Sequence, residues 1–234
     1  MLQAMIFDFN GVILDDEEYH YLSLRRVLDE EGVRISREDY YQECLGFGDV
    51  ECFQWGFGGE DRLRKAGGME ALLTRKSAYY EELLERETRF CPGVREFVRE
   101  SASRYSLVVA SMALRREIEL ALGRAGLLEC FVGIVSAEEV GKPKPDPEIF
   151  QKALVLLNRK SSLPGTRGDR GPIQPAECLV IEDSAPGIQA AKTAGMRVLA
   201  LTHTLSADRL QGADLIVPSF EAVEPAQLAA LFRA

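Results

Sequence analysis

From Pro92 onward the chain alternates short apolar runs with amphipathic segments, and this alternation is the feature that most restricts its fold. The runs have the length and composition of β-strands, at Ser106–Ser111, Phe131–Val135, Glu177–Asp183, Val198–Leu201 and Leu215–Val217. The segments between them have helical periodicity, at Leu114–Ala125, Asp146–Leu157 and Pro186–Ala194. Several runs are continuously apolar, which is typical of parallel strands buried on both faces. The pattern predicts a parallel sheet flanked by helices, which the opening run Ala4–Asp8 joins.

A different pattern, without a convincing strand, occupies residues 15–88. Helical periodicity dominates there, in Tyr19–Glu31, Arg37–Leu45 and Met69–Glu87. We therefore expect an inserted helical domain at 15–88, within a core formed by 1–14 and 89–234.

Two segments fit neither pattern. Residues 46–68 are rich in glycine and aromatic residues, and no structure is predicted for them. Their aromatic side chains form either a substrate-facing surface or the core of the helical domain; they are Phe47, Phe53, Trp55 and Phe57. Residues 158–175 are polar, with glycine and proline but no hydrophobic period, and they predict a flexible surface loop within the core.

Charge and cysteine content argue against several classes of partner. The formal net charge of -9 disfavours nucleic acid and anionic membranes. The five cysteines are scattered and form no C-x-x-C pair, so neither a disulfide framework nor a zinc site is indicated. No secretion signal or apolar run of membrane-spanning length is present. We expect a soluble, cytoplasmic protein that is a monomer or a weak dimer.

Polar side chains follow four of the predicted strands, at the points where these strands end. They are Asp8, Ser111, Lys142 and the pair Glu182-Asp183. The carboxyl ends of strands in a doubly wound sheet meet at one edge, where such folds bind ligands. Together these residues predict a site for a phosphate-bearing substrate and a hard cation.

The three acids set the metal requirement of this site. Asp8, Glu182 and Asp183 would repel one another strongly unless a cation or protons intervened. Oxygen ligands without a nearby histidine or cysteine favour Mg²⁺. Alternatively, Glu182-Asp183 forms only an acidic turn that caps the helix at Pro186.

Two loops offer groups that could bind phosphate. The Ser111 hydroxyl and the following backbone N–H, that of Met112, could bind phosphate oxygens at a helix N-terminus, or Ser111 could serve only as an N-cap. Lys142 lies in the sequence Gly-Lys-Pro-Lys-Pro-Asp-Pro, where prolines restrict the backbone near the strand ends. A proline-rich loop before a helix is the alternative explanation.

In this order, these motifs resemble those of the haloacid dehalogenase superfamily of phosphohydrolases. The likeness covers the sequences Asp8-Phe9-Asn10-Gly11-Val12, Ser111, Lys142-Pro143-Lys144-Pro145 and Glu182-Asp183-Ser184. On this match we assign the family lysine to Lys142 rather than Lys144. Segments around His20, Lys76 and Phe150 are similar to the β-phosphoglucomutase-type subgroup.

The resemblance implies an α/β fold, a Rossmann-like doubly wound core with an inserted helical cap, and it implies roles for individual residues. Asp8 would form an aspartyl-phosphate while Mg²⁺ offsets the charge of the phosphoryl group, and Glu182 would act on the metal indirectly. The predicted catalytic residues are Asp8, Asn10, Ser111 and Lys142. The predicted substrate contacts are His20, Lys76, Ser111, Met112 and Lys142. The predicted metal ligands are Asp8, Asn10 (through its backbone carbonyl), Glu182 and Asp183.

Asn10 departs from the family pattern, which has an aspartate here as acid and base. An amide has no usable proton chemistry at neutral pH. Three compensations remain open: His20 supplies the proton, Asp15 or Asp16 does, or the leaving group departs without one. Family branches that break C–halogen or C–P bonds also lack this aspartate, which leaves such chemistry open.

These observations predict a Mg²⁺-dependent hydrolase of a small phosphorylated metabolite, with low activity if nothing replaces the missing acid. Two alternatives are a sugar-phosphate mutase of the β-phosphoglucomutase type and a catalytically silent protein that binds or senses a phosphometabolite. Mutases of the subgroup have an arginine in the cap where this chain has Asp49, and this difference disfavours mutase activity.

Overall fold

The structure is a computed structural model, and it describes residues 1–45, 47–161 and 171–233. The chain divides into two compact units. The core unit comprises Met1–Asp15 and Phe90–Ala234, and the helical unit comprises Asp16–Arg89.

A six-stranded parallel sheet forms the centre of the core unit, in the order β3-β2-β1-β4-β5-β6. The strands are β1 (Ala4–Phe7), β2 (Ser106–Ala110), β3 (Gly133–Val135), β4 (Cys178–Glu182), β5 (Arg197–Leu201) and β6 (Leu215–Val217). The parallel sheet and its Rossmann-like order, as predicted from the alternating runs and the resemblance, are confirmed. Every residue of β1 and β4 is buried, which explains their continuous apolar sequence.

The described residues form ten α-helices: α1 (Glu17–Glu30), α2 (Arg37–Glu43), α3 (Asp49–Phe57), α4 (Glu60–Lys65), α5 (Met69–Arg86), α6 (Val94–Ala102), α7 (Arg115–Ala125), α8 (Glu148–Ser161), α9 (Ala185–Thr193) and α10 (Pro225–Leu231). The first five lie in the helical unit and the last five in the core unit. α9 begins directly after β4 because the Ser184 hydroxyl caps it, accepting the N–H of Gly187 at 3.2 Å. This cap places α9 immediately after the acids that end β4.

The helical unit packs around its own apolar core. Leu24 and Leu28 of α1, Phe53 of α3 and Leu72 of α5 are fully buried in it. Two helices, α3 and α4, occupy the segment for which the sequence predicts no structure.

The four aromatic residues of that segment differ in exposure. Phe53 and Phe57 are buried in the core of the helical unit, whereas Phe47 and Trp55 are exposed. Phe53 and Phe57 are therefore structural residues of this core.

The described residues cover only the two ends of the predicted loop 158–175, and its first residues belong to α8. α8 continues to Ser161, and residues 162–170 lie outside the described part of the chain. The side chain of Asn158 accepts the Ile173 N–H at 2.7 Å and donates to its carbonyl at 3.1 Å, which joins the flanks of this segment. Among the described residues, no helix is both long and apolar enough to span a membrane.

Candidate active site

Parallel pairing brings the ends of β1 and β4 side by side. Phe7 is in register with Ile181, so the next residue of each strand, Asp8 and Glu182, meet at the carboxyl edge of the sheet. The Asp8 N–H continues the ladder, donating to the Ile181 carbonyl at 3.0 Å. Asp183 follows directly. The acids predicted to converge are therefore close neighbours.

These acids form a buried cluster that could hold a metal ion. One oxygen from each of Asp8, Glu182 and Asp183 lies within 4.8 Å of the others. Asp8 Oδ1 is buried and has no hydrogen-bond partner among the described residues. Burial and then the charges of Glu182 and Asp8 raise the pKa of the Asp183 carboxyl well above its ordinary value. The cluster has more negative charge than its surroundings balance, and its donors are all hard oxygens, so these residues fit a divalent cation.

The lysine at this cluster is Lys144, which corrects the assignment to Lys142. Lys144 Nζ lies 2.9 Å from Asp8 Oδ2 and 2.5 Å from Glu182 Oε1, and its side chain is only 9% exposed. Burial lowers the pKa of the Lys144 ammonium, but the two carboxylates outweigh this effect and raise it overall. The side chain of Lys142 is 73% exposed and lies 3.5 Å from Asp146.

A tight turn explains the difference between the two lysines. The Asp146 N–H donates to the Pro143 carbonyl at 3.0 Å, so Lys144 and Pro145 occupy the centre of a reversal of the chain. Before the turn, the Lys142 N–H donates to the Glu148 carboxylate at 2.9 Å, which holds that residue on the α8 side.

The sequence motif by itself fits both lysines. Lys-Pro-x-Pro occurs in two overlapping registers, Lys142 to Pro145 and Lys144 to Pro147, and the second ends directly before α8.

Glu182 is fully buried, and both of its carboxylate oxygens have partners. Oε1 accepts from Lys144, while Oε2 accepts from the Asp183 N–H, the Ser184 N–H and the Ser184 hydroxyl at 2.8–3.2 Å. A Cβ at Gly187 would lie 2.0 Å from this carboxylate, so α9 passes against it closely. Glu182 therefore fixes Lys144 beside Asp8.

Sequence reasoning missed Thr204, which lies in the loop after β5. Its hydroxyl donates to Asp183 Oδ2. Gly11 completes this contact, because a Cβ there would lie 1.8 Å from Asp183 Oδ2 and 2.6 Å from Thr204 Oγ1. A single threonine after a strand has no motif that could have revealed it.

The remaining predicted residues of the core unit lie in the loops after β1 and β2. Ser111 is buried, its N–H donates to Val135, and its hydroxyl oxygen accepts the Ala113 N–H at 3.3 Å. Met112 is 37% exposed. Asn10 pairs with Leu14 in the turn after β1. The roles of these three residues in substrate or metal binding stay predictions.

His20 and Lys76 come together inside the helical unit. Lys76 Nζ lies 2.6 Å from His20 Nδ1 and 2.9 Å from Asp49 Oδ1, and its side chain is only 4% exposed. His20 Nε2 lies 3.3 Å from Asp16 Oδ2, which also accepts the Tyr80 hydroxyl. Burial and Lys76 lower the pKa of His20, but Asp16 and Asp49 outweigh them and raise it overall. Their predicted contact with substrate is untested.

The core unit has a doubly wound parallel sheet with an acid and lysine cluster at its carboxyl edge, and these features define an α/β protein with a candidate ligand site at that edge. Comparison with known proteins narrows this class. The family model for haloacid dehalogenase-like hydrolases matches residues 5–201. The chain belongs to this family and is an enzyme of its hydrolase type.

Relatives of similar length point to one subgroup. β-Phosphoglucomutase from Bacillus subtilis is 27% identical over 220 residues, which are 92% of this chain and 89% of the relative. A phosphorylated carbohydrates phosphatase from Thermotoga maritima is 30% identical over 213 residues, 88% of each protein. The structure of β-phosphoglucomutase from Clostridium difficile has the same fold, with a TM-score of 0.77, 24% identity and coverage of 99% of this chain and 97% of that one. The chain is thus similar to the β-phosphoglucomutase-like members of its family.

Proposed function

We propose that this chain hydrolyses a small phosphorylated metabolite, with Asp8 as the acceptor of the phosphoryl group. The surroundings of the Asp8 carboxylate carry this proposal. Lys144 holds Oδ2 at 2.9 Å, whereas Oδ1 is buried without a hydrogen-bond partner among the described residues. Most buried side-chain polar atoms in proteins have a hydrogen-bond partner, so the unpartnered Asp8 oxygen calls for an explanation. The unsatisfied oxygen is available to a metal ion or to the phosphorus atom.

Mg²⁺ fits the charge and the donors of this cluster. Among the described residues, Lys144 is the one lysine paired with the cluster, through Asp8 and Glu182, and the oxygens of Glu182 are already occupied. Asp8 and Asp183 would therefore hold the ion, together with the backbone carbonyl of Asn10 that the family resemblance suggests. The bound ion would supply positive charge for the transferring phosphoryl group.

Transfer would proceed in two displacements. One oxygen of Asp8 attacks phosphorus, the bond from phosphorus to the leaving oxygen breaks, and that oxygen keeps the electron pair. Water then attacks the phosphorus of the aspartyl-phosphate, the bond from phosphorus to the Asp8 oxygen breaks, and the free Asp8 carboxylate remains while inorganic phosphate leaves with the protons of the water, one of which passes to the departed oxygen through solvent. Lys144 and Ser111 would hold the other phosphoryl oxygens as negative charge builds up.

Asn10 restricts the substrate to compounds with a good leaving group. Of the three compensations, His20 is disfavoured because both of its ring nitrogens have partners within the helical unit. Asp16 likewise accepts the Tyr80 hydroxyl. General acid catalysis is typically worth ~10²–10⁴-fold, and a leaving group that is stable as an anion has the least need of it.

The names of the relatives suggest a phosphorylated sugar or a similar metabolite as substrate. Hydrolysis is favoured over mutase action by Asp49. Its carboxylate lies 2.9 Å from Lys76 Nζ, so the charge of this lysine is balanced within the helical unit rather than available for a second phosphate.

A panel of phosphate monoesters and acyl phosphates tests the proposal. Phosphate release would be measured with Mg²⁺ for the wild type, for Asp8→Asn and for Asn10→Asp. We expect release by the wild type, none by the isosteric Asp8→Asn, and faster release by Asn10→Asp on substrates with poor leaving groups. Equal release by the wild type and Asp8→Asn would refute the role of Asp8. Tight binding of a phosphometabolite without any turnover would instead establish the silent, sensing alternative that Asn10 favours.

A further inference from the structure

We infer that Thr204 is a positioning residue for the metal site, orienting the carboxylate of Asp183 through its hydroxyl. This inference rests on the proposed function, because it assumes that Asp183 is a metal ligand. The direct observation is the hydrogen bond from Thr204 Oγ1 to Asp183 Oδ2. It joins the loop after β5 to an acid that ends β4.

Both ends of the segment that carries Thr204 are anchored in the core unit. The Thr202 N–H donates to the carbonyl of Val217 in β6 at 3.1 Å, and the side chain of Leu205 is buried. The position of the hydroxyl is therefore set by the sheet and the core, as a positioning role requires.

Gly11, in the turn after β1, packs against the hydrogen bond between Thr204 and Asp183. It has a φ of +68°, and the space that a Cβ would occupy is taken by Asp183 Oδ2 and Thr204 Oγ1. The turn after β1 thus packs directly against the contact between Asp183 and Thr204. Three loops, after β1, β4 and β5, fix the position of one carboxylate oxygen.

Holding Oδ2 in this way would present the Asp183 carboxylate to a cation in one orientation. A donated hydrogen bond also favours the ionised carboxylate, which counters the effect of burial and of the neighbouring acids. Hydrogen-bond partners of ligating carboxylates typically change metal affinity 10–100-fold when they are removed. Thr204 would thereby contribute to Mg²⁺ affinity without touching the ion or the substrate.

Calorimetric titration of metal-free protein with Mg²⁺ tests this role independently of turnover. Thr204→Val keeps the shape of the side chain and removes the hydroxyl, so we expect Mg²⁺ affinity to fall by about 10–100-fold. Thr204→Ser retains the hydroxyl, and its affinity should stay within about threefold of the wild type. Thr193→Val is the matched control, because the Thr193 hydroxyl donates to the Gln189 carbonyl on the exposed side of α9. Its affinity should not change.

Thermal unfolding in EDTA checks that each variant is folded, and Thr204→Ala repeats the test if Thr204→Val is not. Wild-type affinity in the folded variant without the hydroxyl would overturn the inference and leave the proposed function intact. A wild-type protein that binds no Mg²⁺ would refute the metal site and this inference with it. Affinity lost equally in Thr204→Ser and Thr204→Val would show that packing, rather than the hydroxyl, matters, and would also overturn it.

Discussion

Replacing each of the two lysines of the proline-rich loop by methionine separates a buried ion pair from a surface one. Lys144→Met removes the ammonium that lies 2.9 Å from Asp8 and 2.5 Å from Glu182. Lys142→Met makes the same chemical change two residues earlier, at a side chain that is 73% exposed. Comparing the two variants therefore controls for the loss of one positive charge and for the change in loop composition.

The structure gives very different magnitudes for the two substitutions. Removing one partner of a buried ion pair typically costs ~3–5 kcal/mol, since it leaves charge buried without a counterion. At ~2–4 °C per kcal/mol for a domain of this size, Lys144→Met should lower the melting temperature by about 6–20 °C in EDTA. The exposed pair of Lys142 with Asp146 contributes ~0–1 kcal/mol, so its loss should lower the melting temperature by less than about 4 °C.

Melting temperature and phosphate release would be measured for both variants, with and without Mg²⁺. Added Mg²⁺ should stabilise Lys144→Met more than the wild type, because the ion replaces positive charge that the variant lacks. Turnover should fall by about 10²–10³-fold in Lys144→Met and by less than threefold in Lys142→Met. A larger loss in Lys142→Met, or equal losses in both, would refute the assignment of the site lysine to Lys144.

Three further predictions concern a glycine, a partly buried acid outside the site and the amide of Asn10. Gly11→Ala should abolish Mg²⁺ binding in a titration, because its Cβ would meet Asp183. Gly32→Ala is the control: this glycine has a φ of +73° and nothing lies within 4 Å of the added Cβ, so the substitution should lower the free energy of unfolding in urea by only ~1–2 kcal/mol. Burial raises the pKa of Asp214, but hydrogen bonds from two basic side chains and a backbone N–H at 2.8 Å outweigh it and lower the pKa overall. Asp214→Asn should therefore be less stable than the wild type at pH 7, and this difference should disappear as the pH falls below about 4 through the lowered pKa. Across aryl phosphates with increasingly basic leaving groups, rates should fall more steeply for the wild type than for Asn10→Asp; parallel slopes would show that Asn10 does not limit protonation.

The sheet could be predicted from the sequence because strands that are buried on both faces have continuously apolar sequences. The apolar run at 179–181 indicates a parallel strand before any contact is known. Short helices have a weaker signal in the sequence. α3 and α4 are bounded by Gly48, Gly58 and Gly59, and each spans too few turns for a hydrophobic period to stand out.

Only the site residues whose positions are set by the ends of strands could be predicted from the sequence. Asp8 and Glu182 follow from register, since parallel pairing makes them neighbours. The choice between Lys142 and Lys144 depends on the direction of a turn, and both fit the same short motif. Thr204 depends on the path of a loop after β5, which no local pattern encodes.

The chemistry of this site has two parts, charge balance and proton transfer, and the contacts in the core unit support the first more fully than the second. Charge balance is provided by Lys144, which lies after β3 between two acids, and by Glu182 at the end of β4, whose carboxylate oxygens both have partners. By the family resemblance, proton transfer would depend on one side chain, at the position that Asn10 occupies here. A chain that only bound a phosphorylated compound would also use Asp8 to hold the cation, so phosphate release by the wild type and its loss in Asp8→Asn are what separate the two functions. If Asp8 accepts the phosphoryl group, as we propose, the amide of Asn10 would limit the reaction to leaving groups that need little protonation.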